Sequence, residues 1–531
     1  MAQSAASKNQ GWDADRSVAG TLNPWLIVAI ISLPTFMEVL DTSIANVSLN
    51  DIAGGLSITL DQATWVLTSY LVANAIVIPI SGWLSDVVGR KRYFMISIAL
   101  FAGASLLCGL APNLQTLVIA RILQGIGGGG LAPVEQSMLA DTFPPSQRGL
   151  AFATFAIVVV VGPVFGPTIG GYITDKASWH WIFLINVPVG IVALILVQLF
   201  VDESETIRRD REQLIKRGIR IDYIGFALVA IGLGFFEYTL DRGEREAWFD
   251  SSFIVLTACI AGVALVGLVI WELNHDDPIV DLKLLRNRNF AITNIIMFTT
   301  GMILFGTTQL IPQMLQQVLG YSATDAGLAL TFGGFATLVA VPFAGRLTDK
   351  VDVRFLLFPA LLAQAFALLN LSMLNADISF WDASLARMYQ SAALPFLFVP
   401  INAAAYVGLP QRKTAQASSL LNVSRNLGGT VGISAAQTLL SSYQQTRQSH
   451  LVETLNPLNP NYVQWMNRAA GVFGESVEAR LGSMYRIVQQ QAAMLAFLDT
   501  FHTLMIFVFL VSPIALFLRS KPGQRAPAGA H

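Results

Sequence analysis

Long apolar stretches, each about as long as a membrane-crossing helix, recur along this chain. A bilayer core is spanned by about 20 predominantly apolar residues in helical form. Hydrophobic residues make up 54% of the 531 residues and charged residues only 13%, against about 25% charged in ordinary soluble domains. The chain is therefore predicted to be an all-α integral membrane protein. Fourteen such stretches can be marked, at 25–47, 62–84, 93–111, 114–138, 149–172, 181–201, 222–240, 252–271, 290–315, 324–346, 355–375, 383–408, 415–441 and 497–518.

Basic residues are distributed unequally between the segments that join these stretches. With the N-terminus in the cytoplasm, most of the 33 Lys and Arg residues fall on the inner side, as the positive-inside rule requires. An even number of spans then returns the C-terminus to the same side, so both termini are predicted to be cytoplasmic. The seven exceptions in predicted outer segments are Lys176, Arg242, Arg245, Arg447, Arg468, Arg480 and Arg486.

The sequence contains an internal repeat. The segments 82–92 and 345–354 share the pattern G-x-L-[ST]-D and end in basic residues, after the second and tenth stretches respectively. A second repeated motif is Arg121-x-x-Gln124, which recurs as Arg387-x-x-Gln390. Transporter halves are often built from such repeats, with a binding site between them near the midplane. We therefore predict two related six-helix bundles plus two extra helices.

The predicted organisation follows from this repeat. Residues 1–24 and 519–531 are cytoplasmic tails, 25–201 and 290–518 are the two bundles, 202–221 is a charged linker, and 222–271 holds the two extra helices. The outer segment 442–495, within the second bundle, is rich in Gln. It is interpreted either as a solvated cap or as a docking surface for a periplasmic partner, because long connections are usually functional or disordered.

The first apolar stretch, Trp25–Val47, carries Glu38 and Asp41 in its second half. A charged side chain near the middle of a bilayer costs roughly 2.5–3.5 kcal/mol on insertion scales. Such residues face a bundle interior or a wet cavity, and they are functional candidates. We interpret Asp41 as a proton-binding carboxylate of a polytopic transporter, with Glu38 as a second candidate.

Arg121 lies inside the fourth stretch and should pair with one of these acids. Arginine keeps its proton in proteins, so in a membrane it faces a carboxylate or backbone carbonyls. A neighbouring guanidinium favours an ionised carboxyl, whereas desolvation favours the neutral form. This opposition suits a proton switch in which Asp41, Glu38 and Arg121 take part. The alternative is a purely structural buried ion pair.

The turn after the second stretch resembles the loop signature of the major facilitator superfamily. Val87 stands where that family has a basic residue, so no pairing role carries over to that position. The resemblance implies the fold of that superfamily and a cytoplasmic latch that stabilises one facing of the carrier, with Asp86 beside a helix N-terminus that favours an anion. The matching residues are Gly82, Leu84, Asp86, Gly89, Arg90 and Lys91.

The fifth stretch resembles the signature of the superfamily's antiporters. Its glycines recur every four residues along one face, which lets another helix approach closely. Its two prolines remove backbone donors and are expected to bend the helix. The resemblance implies export, whereas a kinked packing helix is the alternative. The residues concerned are Gly162, Pro163, Gly166, Pro167, Gly170 and Gly171.

Other segments resemble the fourteen-span drug:proton antiporters, and among them the EmrB branch. They are Leu40–Val47, Trp181–Gly190, Leu240–Gly243, Pro278–Asp281 and the motif Asn422-x-x-Arg425-x-x-Gly428-Gly429. That resemblance implies a pump of the bacterial inner membrane that works with a periplasmic adaptor and, through it, an outer-membrane channel. The second half contributes the polar candidates Arg387, Gln390, Asn422 and Arg425.

Three intramembrane carboxylates depart from that branch's usual pattern, namely Glu38, Glu135 and Glu237. They change cation tolerance or proton stoichiometry, or they merely hydrogen-bond within the bundle; the sequence favours neither interpretation.

Several chemistries have no sequence support. The sequence contains no G-x-x-x-x-G-K-[ST] loop for ATP and no HExxH motif, and its five histidines are scattered. We therefore expect no cofactor, no metal, no nucleic acid and no enzymatic activity, with the proton motive force as the energy source.

The sequence thus predicts proton-driven export of hydrophobic or amphipathic drugs by alternating access, as the pump of a tripartite efflux system. The alternative is a stand-alone exporter of a narrower substrate, such as a metabolite, a fatty acid or a siderophore. A uniporter, a membrane enzyme and a receptor are weaker alternatives.

Overall fold

The structure is a computed structural model that describes residues 17–19, 23–216, 222–375, 378–453, 455–456, 458–473 and 476–518. The predicted tail 519–531 and most of 1–24 lie outside these residues. Within them, all regular secondary structure is helical. The all-helical architecture predicted from the apolar stretches is confirmed.

The first half of the chain contains ten α-helices. Three of them are only four to seven residues long. In chain order they are α1 Pro24–Val47, α2 Leu49–Gly55, α3 Leu60–Ala63, α4 Trp65–Val88, α5 Arg90–Gly109, α6 Leu114–Gly128, α7 Leu131–Thr142, α8 Arg148–Lys176, α9 Trp181–Leu184 and α10 Asn186–Phe200.

A linker helix and two apolar helices follow, and eight further α-helices complete the chain. The middle group is α11 Glu205–Lys216, α12 Tyr223–Arg242 and α13 Ser252–Asn274. The last group is α14 Arg288–Gln317, α15 Ala323–Lys350, α16 Val353–Ser372, α17 Phe380–Ala393, α18 Pro395–Ala405, α19 Thr414–Glu453, α20 Pro460–Phe473 and α21 Val477–Val511.

Side-chain caps define where several of these helices begin. Asn113 accepts a hydrogen bond from the Thr116 amide, and Ser379 and Asp382 form a reciprocal capping box at the start of α17. Such caps satisfy backbone donors that have no partner within the helix.

Eleven described helical segments are long and apolar enough to cross a membrane. Three of the fourteen predicted stretches are not among these eleven segments: 149–172, 383–408 and 415–441. The exact number of spans therefore stays a prediction.

The two Arg-x-x-Gln motifs lie just before breaks in the fourth and twelfth stretches. The helix that carries Arg121 stops at Gly128 and resumes at Leu131, while the one that carries Arg387 is interrupted at Leu394. Each of these stretches is predicted as one span, and the structure divides each into two helices. The shared position of the break extends the internal repeat to local structure.

Glycines on α8 let it pack closely against α1. A Cβ added at Gly162 would lie 2.6 Å from Val39 Cγ1, and one at Gly170 would lie 2.9 Å from Ile44 Cγ2. Gly171 faces no atom within 4 Å. The helix is continuous from Arg148 to Lys176, and the side chains of Pro163 and Pro167 lie outside the described part of the structure.

The predicted outer segment 442–495 is largely helical in its described residues. α19 continues to Glu453, α20 follows, and α21 begins at Val477, well before the apolar stretch that starts at 497. Arg447 donates to both carboxylate oxygens of Asp499 at 2.7 and 2.9 Å, which ties α19 to α21. The hydrogen bonds to Asp499 raise the pKa of Arg447.

Candidate functional site

Asp41 on α1 and Arg121 on α6 form a buried ion pair inside the first bundle. Arg121 Nη1 lies 2.7 Å from Asp41 Oδ2, and both side chains are almost fully buried. A charge pair inside a protein is stable only when its remaining polar atoms are also satisfied. The sequence left both Asp41 and Glu38 as partners, and the structure gives Arg121 its hydrogen bond to Asp41.

Neutral side chains from two helices complete the hydrogen bonding of Asp41. Gln124 and Asn186 donate to Asp41 Oδ1 at 2.9 and 2.6 Å. Both also donate to the Ser105 hydroxyl, at 2.9 and 3.0 Å. Asp41 therefore accepts three hydrogen bonds and stands in a polar cluster that α5, α6 and α10 hold in place.

The guanidinium of Arg121 is fixed from its other sides. Its Nε donates to the Val66 carbonyl at 2.9 Å, and its Nη1 also donates to Gln124 Oε1 at 2.7 Å. The Tyr70 ring stacks on it, with 4.3 Å from Cζ to the ring centroid. A cation over an aromatic face is stabilised by the ring quadrupole. Arg121 is thus held in place even where Asp41 is neutral.

Glu38 lies on the same helix but faces the boundary between the halves. It accepts hydrogen bonds from Asn74 Nδ2 at 3.1 Å and from the Tyr70 hydroxyl at 3.3 Å. Glu38 is partly exposed, whereas Asp41 is 2% exposed. In this conformation Glu38 is therefore the more accessible of the two acids.

Glu135 and Arg425 meet at the same boundary from opposite halves. Glu135 on α7 accepts from the Ser32 hydroxyl at 2.5 Å. Arg425 on α19 interacts electrostatically with both Glu135 and Glu38. Its Nε donates to Asn426 Oδ1 at 3.3 Å. Three charged groups from two bundles thus lie near enough to interact electrostatically.

Glu237 belongs to α12, one of the two extra helices. It accepts a hydrogen bond from the Thr430 hydroxyl on α19 at 3.0 Å. It also borders a small cavity with Asn426 and several apolar side chains. The extra helix therefore reaches the second bundle beside the charged cluster.

A second polar network joins the halves at the end of the molecule that carries the loop 82–91, termed here the loop end. Arg90 forms an ion pair with Asp141 and donates to the Thr414 hydroxyl at 2.8 Å. Thr414 in turn donates to Asp141 at 3.1 Å. A Cβ at Gly82 would lie 2.9 Å from Gln416 Cα, so the first residues of α19 approach this turn closely.

Further hydrogen bonds continue along the boundary from the loop end toward the centre. Asn422 Nδ2 donates to Gln136 Oε1 at 2.7 Å, and Ser419 donates to the Pro79 carbonyl at 2.9 Å. The Gly149 amide donates to Asp349, the repeat counterpart of Asp86, at 2.9 Å. The loop end is therefore closed in this structure.

The turn itself is tied to neighbouring segments. Gly89 has φ +100°, a conformation that glycine adopts without steric cost. Arg211 of the linker helix donates to the Val88 carbonyl at 3.3 Å and pairs with Glu203 at 2.9 Å. Lys91 donates to the Gln198 carbonyl at 3.0 Å. The charged linker thus covers the turn.

Comparison with known proteins shows which family this architecture belongs to. Residues 31–433 match the sequence profile of the Major Facilitator Superfamily. The chain belongs to that superfamily. It is therefore a multi-pass membrane transporter of the inner membrane. Its fold is like that of the proton:xylose symporter XylE, with a TM-score of 0.59 at 15% identity over 94% of this chain and 96% of that one.

Similar curated proteins show which branch of the superfamily the chain resembles. The chain is 40% identical to the multidrug export protein EmrB of Escherichia coli over 82% of this chain and 84% of that protein. It is 35% identical to the fatty acid resistance protein FarB of Neisseria gonorrhoeae over 96% of this chain and 99% of that protein. The chain is thus an EmrB-like efflux transporter with small-molecule substrates.

The two copies of the Arg-x-x-Gln motif in this transporter have chemically different partners. Arg387 donates to Gln390 Oε1 at 2.5 Å and to the Thr308 hydroxyl at 3.2 Å, while Gln390 donates to Thr307 at 3.0 Å. Thr307 thus occupies the place that Asp41 takes in the first half. The hydrogen bonds described for Arg387 all go to neutral side chains, so the second half repeats the cation without the carboxylate.

The structure adds several residues to these sites that the sequence patterns do not indicate. Asn186, Ser105 and Asn74 are polar residues in apolar stretches, which is a usable but weak signal. The sequence gives no signal for Asp141 and Thr414, because their role depends on contacts between segments that are 273 residues apart.

Proposed function

We propose that this transporter exports hydrophobic or amphipathic drugs in exchange for protons. The observation that supports it most is the buried pair Asp41–Arg121 with its neutral hydrogen-bond donors. A proton on Asp41 removes its charge and weakens its bond to Arg121, which cannot give up its own proton. Asp41 is thus the site where proton uptake changes the charge of the first bundle.

The proposed cycle is alternating access with both termini in the cytoplasm. In that orientation the closed loop end faces the cytoplasm, so the structure represents a form that is closed to the inside. Protons from outside then neutralise Asp41, and Glu38 with it. Loss of the charge on Asp41 disfavours bound drug, and the loop end then opens. Deprotonation toward the cytoplasm restores the form that binds drug.

The substrate is proposed to bind between the bundles. Phe155 lies near Arg425 and Phe165 lies near Phe335, both across this boundary. Drug-sized ligands bind in mostly apolar clefts with a few polar groups that set orientation. Hydrophobic and amphipathic compounds fit this composition.

We also propose that the helical segment 442–495 binds a periplasmic adaptor that leads to an outer-membrane channel. Apolar side chains lie exposed here, outside the predicted bilayer. Leu458 is 92% exposed and borders an open groove with Val463 and Pro460. Such exposed apolar side chains are typical of interaction surfaces.

Transport into proteoliposomes tests the proposed function. An imposed pH gradient should drive uptake of a fluorescent cationic drug by the wild type, and Asp41→Asn should abolish it. Asp51→Asn, at an exposed carboxylate just after α1, is the matched control and should transport normally. Drug movement that ignores the gradient in the wild type would exclude antiport.

The second candidate is a stand-alone exporter of fatty acids. It is favoured by the similarity to FarB, which covers nearly the whole of both chains. Host tolerance to long-chain fatty acids and to drugs, measured with and without an adaptor, separates the two candidates. Fatty acid tolerance without drug tolerance, independent of an adaptor, would establish the second.

A further inference from the structure

The Asp41–Arg121 pair lies wholly within the first bundle. Its partners come from α1, α4, α5, α6 and α10, all in the first half of the chain. Alternating access moves one bundle against the other. A charge change confined to one bundle needs a link that crosses the boundary before it can bias that movement.

Arg425 provides such a link. It belongs to α19 of the second bundle, it is 7% exposed, and its electrostatic partners Glu38 and Glu135 both belong to the first bundle. A hydrogen-bonded chain runs beside these charges. Arg425 Nε donates to Asn426 at 3.3 Å, Asn426 donates to Asn74 at 3.5 Å, and Asn74 donates to Glu38 at 3.1 Å.

Several helices pack around Arg425 and the acids beside it. α14 packs most extensively on α19 and carries no titratable side chain after Arg288. α8 contributes Phe155, whose ring centroid lies 5.8 Å from the guanidinium. α4 contributes Tyr70 and Asn74 near Glu38. On α12, Glu237 lies beside Thr430, and Asp41 interacts electrostatically with Glu38.

The balance of charge determines which conformation this cluster stabilises. Arg425 stays cationic, and net charge in a low-dielectric interior is strongly disfavoured. Ionised Glu38 or Glu135 attracts Arg425 and draws α19 toward α1 and α7. Protonation of both acids removes that attraction and leaves a cation at the boundary. The ionised cluster therefore stabilises the closed loop end, and its protonation favours opening.

We propose that Arg425 is the positioning residue that converts protonation of Glu38 and Glu135 into movement of the two bundles. This proposal rests on the proposed proton antiport. It assigns the two glutamates a shared role that the Asp41–Arg121 pair does not fill. Arg425 touches neither the transported proton nor the substrate in this role.

Distance measurements test the proposal. Spin labels at Arg92→Cys and Arg412→Cys, on exposed loop-end residues of opposite halves, in a Cys259→Ser background report whether the loop end is open. In the wild type, acidification should raise the open fraction by about 5- to 150-fold, the usual range of coupling between two sites. Arg425→Gln should make the open fraction independent of pH, and Arg425→Lys should restore much of the dependence.

Two further variants keep the test informative if Arg425→Gln folds poorly. Glu38→Gln with Glu135→Gln should abolish the pH response while Arg425 is intact. Arg447→Gln, the same substitution farther along α19, should leave the response unchanged. A wild-type pH response in Arg425→Gln, or in the double glutamine variant, would overturn the proposal.

Transport separates this proposal from the proposed function. A wild type that shows no gradient-driven drug uptake contradicts proton antiport itself. Gradient-driven uptake by the wild type, with an unchanged pH profile in Arg425→Gln, contradicts only the role of Arg425. The proposal predicts that Arg425→Gln binds drug normally but loses the gradient dependence of its transport.

Discussion

At the scale of single residues, Asp41 and Glu38 lie three positions apart on one helix, roughly 4.5 Å along its axis, yet they have different partners. Asp41 faces Arg121 inside the first bundle, while Glu38 faces Asn74 and the boundary with α19. One carboxylate is thus buried in a network of donors, and the other is partly exposed where the halves meet.

The ion pair yields a prediction about stability. Arg121→Gln leaves Asp41 buried without its cation, so the free energy of unfolding should fall by roughly 3–5 kcal/mol. Adding Asp41→Asn to Arg121→Gln should recover part of that loss, because two neutral amides can hydrogen-bond. Thermal unfolding in detergent measures both variants. Arg209→Gln, in an exposed pair with Glu205, is the control and should change little. Strictly additive losses would contradict the pairing.

The sequence indicated which residue types are buried and charged but could not choose the partner of Arg121. The choice depends on how α1 is rotated about its axis, and that rotation depends on its packing against the glycines of α8. Asn186 and Ser105 could not be singled out from the sequence, because uncharged polar residues in apolar stretches are common. Only their approach to Asp41 from other helices distinguishes them.

At the scale of helices, the close packing of α8 on α1 holds Asp41 in place. Gly162→Ala puts a Cβ 2.6 Å from Val39, so α1 must shift or the variant loses stability, by about 1–3 kcal/mol as in other overpacked cores. Gly171→Ala, which meets nothing within 4 Å, should be tolerated. Gradient-driven transport and thermal stability of the two variants check this, and equal behaviour would contradict the packing role of Gly162.

The helix boundaries are the part of the fold that the sequence patterns did not determine. Apolar length predicted the interior of most helices well, because the bilayer requires it. It could not set where α19 ends and where α21 begins within 442–495, since this segment is polar and its helices are joined by contacts such as Arg447–Asp499 between distant residues. Nor could it predict the breaks near Gly129 and Leu394, which interrupt otherwise continuous apolar runs.

At the scale of the whole molecule, the polar contacts between the halves extend from Arg90, Asp141 and Thr414 at the loop end to Asn74 and Asn426 near the centre. Two groups of contacts thus close the same boundary. The contacts at the loop end would have to break if the bundles separate there, and the central contacts lie beside Glu38, one of the proposed proton-binding acids.

This arrangement predicts that the loop-end contacts set the conformational equilibrium. Arg90→Ala removes the ion pair with Asp141 and the bond to Thr414, so the open form should gain population. The same spin labels on Arg92→Cys and Arg412→Cys would show a longer distance at neutral pH. Lys91→Ala, which loses only a bond to the Gln198 carbonyl, is the control. An unchanged distance in Arg90→Ala would show that other contacts keep the loop end closed.

The central claim is that Asp41 exchanges its proton as the transporter binds its substrate, and proton release on drug binding tests it most directly. Purified wild-type protein in weakly buffered detergent solution should release protons when a transported drug is added. Asp41→Asn should bind the drug and release markedly fewer protons. Equal proton release by Asp41→Asn and the wild type, at equal drug binding, would contradict the account.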